Sequence, residues 1–167
     1  AFQHFSVISD YSITSNVGCM QNIITHNDKL GKLHYRGWSR SFFSSLDIAE
    51  KRGYDKIIHI ESDAFVLSDR LWKYLYDIKE GWEVLWCPRY NMPENAIQVI
   101  CKDSFPEFRQ QADRFKDGIR QGIIENLLPY KKINKDFVGD RYGEIGLPFS
   151  NKMDYYCQYG DILKQRG

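Results

Sequence analysis

The stretch Tyr54–Ser68, YDKIIHIESDAFVLS, constrains this chain more than any other. Ile57-Ile58-His59-Ile60 is short, mostly apolar and β-branched, without polar alternation. That is the pattern of a strand covered on both faces, as in a parallel sheet, and it predicts near-complete burial of Ile57, Ile58 and Ile60. The run then breaks into Glu61-Ser62-Asp63. Two carboxylates so close together are costly unless something neutralises them. In open α/β sheets ligands bind at the carboxyl ends of strands. Carboxylate oxygens are hard ligands, suited to Mg2+ or Mn2+. The stretch therefore reads as a buried strand that delivers an acidic motif to a metal ion and, through the ion, to a phosphate.

A chain of 167 residues is most simply one domain, large enough to bury a core without staples. A net charge of +1 argues against bulk nucleic-acid binding, which needs a basic face. Aromatic residues make up 15% of the chain, which suits a groove for sugars or bases as well as an aromatic core. Cys19, Cys87, Cys101 and Cys157 are widely spaced with no CxxC, and read as buried thiols in a reducing, cytoplasmic compartment. No stretch is long enough to span a membrane, and no signal-peptide pattern opens the chain. The abrupt start, AFQHFSVIS, is that expected of a domain excised from a longer protein.

Taken in order, Phe5–Ser9 is a candidate first strand, followed by Asp10 and Tyr11. These two are a turn former and a packed ring, or they cradle a nucleotide base, with Tyr11 stacking and Asp10 or a serine hydroxyl (Ser9 among them) reading the base edge. Leu33-His34-Tyr35 could form a short second strand. The spacing of Phe42, Phe43, Leu46 and Ala49 predicts a helix over 40–52, with Ser39 or Ser41 as cap and Gly53 as stop. Arg40 then falls in the first turn, either solvated or aimed at a diphosphate. A second helix is predicted over 69–80 with Ser68 as N-cap, then strands at Trp82–Cys87 and Ala96–Cys101 joined by the polar loop Arg89–Asn95. Ser104-Phe105-Pro106-Glu107 has capping-box spacing and opens another helix. Ile119–Leu128 reads as a helix stopped by Pro129, and Phe137-Val138 as a last strand before the charged turn GDRYGE. Together these elements predict an α/β fold with a mixed, mostly parallel sheet flanked by helices.

The order helix, Gly-Tyr-Asp, apolar strand, E-S-D and strand pair resembles the glycosyltransferases of the GT-A (Rossmann-like) fold. The matching core is IAEKRGYDKIIHIESDAFVLS, and its acidic triplet looks like that family's D-x-D motif with Glu61 in place of the first Asp. More narrowly, the build is similar to the donor-binding domain of chlorella-virus capsid glycosyltransferases, for which UDP would be the nucleotide and a host cytoplasm the setting. The resemblance implies a UDP-sugar donor whose diphosphate is held by Mn2+ or Mg2+. Asp63 would be the direct metal ligand, and Glu61 would contact the ribose or the metal. Ser62 lies between them in the donor site. A glycan or glycoprotein would be the acceptor. For an acceptor-activating base, Glu125 sits where inverting members often place an acid, and Asp140 is its rival.

The chemistry supports the same residues independently, since a divalent ion or an arginine stabilises the charge that develops on a departing nucleoside diphosphate. His59 points to the face opposite Ile58 and Ile60, and is expected to be a hydrogen-bonded core histidine rather than a third ligand. The alternative function is a carbohydrate- or nucleotide-binding module without turnover. A nucleotidyltransferase would share the metal logic, but no Gly-rich phosphate loop follows the first strand.

Overall fold

The computed structural model describes residues 36–116 and 122–158. The expectations for Phe5–Ser9, Asp10, Tyr11, Cys19 and Leu33–Tyr35 lie outside the described residues.

Helix α1, Arg36–Arg52, turns Phe42, Phe43, Leu46 and Ala49 inward. It begins earlier than the sequence suggested, so Ser39 and Ser41 lie within it instead of capping it, and Arg40 lies about one turn in. Its end is the expected one. Gly53 takes φ +68°, and its N–H donates to Glu50 O while Tyr54 N–H donates to Ala49 O at 2.8 Å. These are the paired bonds of a Schellman stop. Strand β1, Lys56–Ile60, follows and runs into a tight turn in which Ala64 N–H donates to Glu61 O at 3.0 Å. After the short strand β2, Phe65–Val66, Ser68 caps helix α2, Asp69–Asp77, by accepting from Leu71 N–H at 3.2 Å. At the other end, Lys56 Nζ donates to Leu75 O and Tyr76 O, where a cation complements the helix dipole.

Strands β3, Trp82–Cys87, and β4, Met92–Cys101, form a hairpin around a turn in which Asn91 has φ +52°. Strand β4 takes in Met92–Asn95, a segment that reads as loop in the sequence. It pairs antiparallel with both β1 and β3, and only β5, Lys132–Asn134, runs parallel to β3, giving the order β1-β4-β3-β5. The expected mostly parallel sheet is therefore corrected to a mixed sheet in which antiparallel pairs dominate. The reason is covalent. A turn this short can only return antiparallel, whereas a parallel neighbour needs a long crossover. Among the described residues β1 has β4 as its one partner, and Ile57, Ile58 and Ile60 are half-buried rather than sealed.

A second sheet, β2-β7-β6, pairs β7 (Tyr155–Tyr156) antiparallel with β2 and parallel with β6 (Gly139–Asp140), two residues after the expected Phe137-Val138. A Cβ at Gly139 would lie 2.2 Å from a Tyr155 ring carbon, so no other residue fits there.

Two apolar clusters flank the main sheet. Phe42, Phe43, Trp82, Phe108 and Phe115 join α1 to helix α3, Phe105–Phe115, in an aromatic core. Leu71, Leu75, Leu85, Ile97 and Val99 fill the α2 side. The expected capping box at α3 does not form. A 3-10 turn at Lys102–Ser104 puts Ser104 at φ −100°, ψ 3°, outside the extended conformation of a capping residue, and its buried Oγ has no partner. Of the helix expected over 119–128, the described part is a 3-10 turn, Ile124–Asn126, which follows Gly122 at φ +80°. Cys87, Cys101 and Cys157 are buried free thiols. Among the described residues no helix is long and apolar enough to cross a membrane.

Candidate functional site

The β3–β4 pairing is broken by a bulge, and the bulge builds the site. Val84 pairs with Gln98 but the next residue, Leu85, pairs with Glu94, so Asn95, Ala96 and Ile97 are looped out of that ladder. On the other side the same segment continues the β1 ladder, with Ile97 opposite Ile60 and Glu61 N–H donating to Ala96 O at 2.9 Å. The bulge satisfies its own polar groups: Gln98 Nε2 donates to Asn95 O at 2.7 Å, and Ala96 N–H donates to Glu94 Oε1 at 3.2 Å. Bulges of this kind redirect side chains near functional sites. Here the redirected side chain is Glu94, which is completely buried.

Glu94 meets Arg141 from the turn after β6. Arg141 Nε donates to Glu94 Oε2 at 2.9 Å and Nη2 to Glu94 Oε1 at 3.2 Å. Nη2 also donates to Glu125 Oε1 at 2.8 Å and lies 3.4 Å from Asn95 Oδ1, while Glu144 stands 4.0 Å from Nη1. One guanidinium thus serves a fully buried and a nearly buried carboxylate at once. Burial would lower its pKa, but Glu94 and Glu125 outweigh that and raise it above the ordinary arginine value.

Glu61 belongs to the same neighbourhood. Strand alternation puts Ile57, His59 and Glu61 on the α1 side and Ile58 and Ile60 on the α2 side. Trp38 Nε1 donates to Glu61 Oε1 at 2.5 Å, and His59 Nε2 lies 3.9 Å from the same oxygen. The His59 ring packs against Phe42 with centroids 4.7 Å apart, and its Nε2 makes no hydrogen bond. The hydrogen-bonded core histidine expected there is corrected to a ring held by aromatic contact beside a carboxylate.

The two strand-borne acids are pushed in opposite directions. Burial raises the Glu61 carboxyl, but His59, the Trp38 N–H and Arg141 outweigh it and leave the group below the ordinary glutamate value. For Glu94 burial wins over Arg141 and the Ala96 N–H, and the carboxyl sits above that value. Environments that separate neighbouring carboxyls in this way are what acid–base chemistry requires. Tyr130 adds a sealed hydroxyl with no hydrogen-bond partner, raised well above the ordinary tyrosine range by burial and by Glu125, Glu94 and Glu61.

The sequence-predicted residues divide accordingly. Glu61 and Glu125 share the electrostatic neighbourhood of Arg141. Ser62 is exposed and Asp63 half-buried in the turn that follows β1. Asp140 is committed elsewhere: Oδ1 accepts from Arg141 N–H at 2.8 Å and from the Cys87 thiol at 3.2 Å, and Oδ2 from Arg89 N–H at 3.1 Å. Burial pushes that thiol up to about 12. Arg40 is exposed on α1. Ser9, Asp10 and Tyr11 lie outside the described residues. Sequence reasoning missed Trp38, Glu94, Tyr130 and Arg141 as parts of a site. Only Glu94 carried a signal, as a charge beside an apolar run that proves to be strand.

Among the described residues no group of three His, Cys, Asp or Glu side chains is arranged to hold a metal ion. Glu61 and Asp63 still fit the mode in which a hard divalent ion takes one or two protein carboxylates and completes its shell with phosphate oxygens and water. Comparison of the chain with protein-family models, with curated proteins and with solved structures gives no match.

Proposed function

We propose that the chain is a metal-dependent glycosyltransferase of the GT-A type, which transfers a sugar from a UDP-sugar to a hydroxyl of a glycan or glycoprotein. The observation that carries this reading is that Glu61, at the head of the strand-end acidic turn, bonds through its N–H to Ala96 O of the bulge carrying Glu94, whose partner Arg141 also holds Glu125 on a separate element. Asp63 and Glu61 would hold Mn2+ or Mg2+, with Asp63 the direct ligand by its place in the D-x-D-like triplet, and Glu61 Oε1 accepts from Trp38. When bound, the ion would stabilise the charge of the departing nucleoside diphosphate. Of the two candidate bases, Asp140 has both oxygens committed, Oδ1 to Arg141 N–H and the Cys87 thiol and Oδ2 to Arg89 N–H. Glu125 keeps Oε2 without a hydrogen bond among the described residues. It is the group we assign to accept the proton of the acceptor hydroxyl. Arg40, exposed on α1, would face the diphosphate.

Calorimetry of UDP binding with and without Mn2+ tests the metal assignment. Asp63→Ala should abolish the Mn2+-dependent part and leave the fold intact, while Glu61→Ala should weaken it less. Equal UDP affinity of parent and Asp63→Ala would remove it. Slow Mn2+-dependent hydrolysis of a UDP-sugar without acceptor separates a transferase from a binding module that has lost turnover.

A further inference from the structure

We infer that Arg141 is the positioning residue for Glu125 and that Glu94 is its fixed counter-charge, an inference that rests on Glu125 being the base proposed above. Glu94 alone would satisfy the guanidinium as a buried ion pair, since it takes both Nε and Nη2 at 2.9 and 3.2 Å. The further bond to Glu125 Oε1 at 2.8 Å is not needed to pair the guanidinium. It is what Glu125 requires. Glu125 rides on a single 3-10 turn, Ile124–Asn126, with little stiffness of its own, and Arg141 is the one partner of its carboxylate among the described residues. Its two oxygens are thereby made unequal. Oε1 is locked to the guanidinium, and Oε2 is left unbonded. A base held by one oxygen presents the other in a fixed direction, which is the geometric condition for taking a proton from a bound hydroxyl. Glu94, immobile on the bulge, offsets much of the guanidinium charge. Glu125 therefore receives an oriented hydrogen bond rather than the field of an unshielded cation.

The test uses the full chain with Mn2+ and UDP-glucose, UDP-galactose and UDP-N-acetylglucosamine as probes, following hydrolysis without acceptor. Arg141→Lys keeps the charge but loses the planar fork. For whichever sugar is turned over, kcat should fall about 10- to 100-fold with KM little changed, the loss expected when a catalytic group is misplaced by about 1 Å. Guanidinium ion should restore part of the activity of Arg141→Ala, which no purely structural role predicts. Should single variants fail to fold, Glu94→Gln combined with Arg141→Gln removes the guanidinium and its counter-charge together and should show the same fall in kcat. A second readout needs no substrate. In protein labelled with 13C at glutamate carboxyls, the Glu125 resonance, identified by its loss in Glu125→Gln, should move at fixed pH in Arg141→Lys. An unchanged kcat or an unmoved resonance overturns the positioning role and leaves the transferase reading standing. If the parent turns over no UDP-sugar, the transferase reading falls, and the resonance alone decides whether Arg141 holds Glu125.

Discussion

Two largely buried charges organise the polar interior of the described residues, and they are mirror images. At Arg141 one cation is shared by several carboxylates: Glu94, Glu125 and, more distantly, Glu144. At Asp154 one carboxylate is shared by several donors. Ser68 Oγ donates to it at 2.6 Å, Arg70 Nε at 2.7 Å and Val138 N–H at 2.7 Å, with a further bond from Arg70 Nη2. The Asp154 backbone carbonyl also accepts from Leu67 N–H at 2.7 Å. The Asp154 knot is balanced, one anion against one guanidinium and neutral donors, and it ties the link from β2 into α2 to the segments that lead into β6 and β7. The Arg141 knot carries more acid than base and stands beside Glu61 and two orphaned polar atoms, His59 Nε2 and Tyr130 Oη. The difference teaches where to look for chemistry. Stability alone favours balance, so an imbalance kept in the interior marks a place where something other than stability is being served.

The largest effect expected from breaking the comparison is at the unbalanced knot. Arg141→Met leaves Glu94 and Glu125 without a cation and should cost about 3–5 kcal/mol in chemical denaturation. Adding Glu94→Gln should recover part of that loss, because the more deeply buried of the two carboxylates is then neutral. A double variant less stable than Arg141→Met would show that Glu94 is held by something other than Arg141.

At the balanced knot, Asp154→Asn should cost about 1.5–3 kcal/mol, the range for hydrogen bonds to a charged group. This loss should depend on pH. Burial raises the Asp154 carboxyl, but Arg70, Ser68 and the Val138 N–H outweigh it and hold it below the ordinary aspartate value of 3.8. A carboxyl depressed on folding contributes stability above its unfolded pKa and loses it as pH falls through the folded one. The gap between parent and variant should thus be full at neutral pH and close as pH drops below 3.8. A gap that persists in acid would mean that Asp154 acts through shape rather than charge.

Smaller effects separate two serines that look alike in sequence. Ser68→Ala should cost about 1–2 kcal/mol, since its hydroxyl both caps α2 and donates to Asp154. Ser104→Ala should cost nothing measurable or stabilise slightly, because its sealed hydroxyl has no partner. Thermal melts of the two variants side by side check this directly. Tyr130→Phe belongs with Ser104. Removing an unpaired buried hydroxyl should raise stability by up to about 1 kcal/mol, and a loss instead would reveal a partner for Tyr130 Oη.

Local signals in the sequence were enough for α1's Schellman stop at Gly53, for Ser68 capping α2, and for β1 and β3. Each of these rests on residues within one or two turns of each other, so the chain itself carries the information. Alternation also placed His59 opposite Ile58 and Ile60. The direction of β1's neighbour was not legible, because an apolar β-branched run records only that its faces are covered and not which way the covering strand runs. Ser104 and Glu107 had the right spacing for a capping box, yet a preceding 3-10 turn changed the backbone angles on which a cap depends. The site depended most on tertiary structure. The sequence by itself determined the acidic turn at Glu61-Ser62-Asp63 and the candidacy of Glu125. The bulge that buries Glu94, and the reach of Arg141 across 47 residues to Glu94 and 16 to Glu125, were decided only when β4 was inserted between β1 and β3. A charge in a chain is solvated until folding removes its water. Which partner then replaces that water is a property of the packed structure, not of spacing along the sequence.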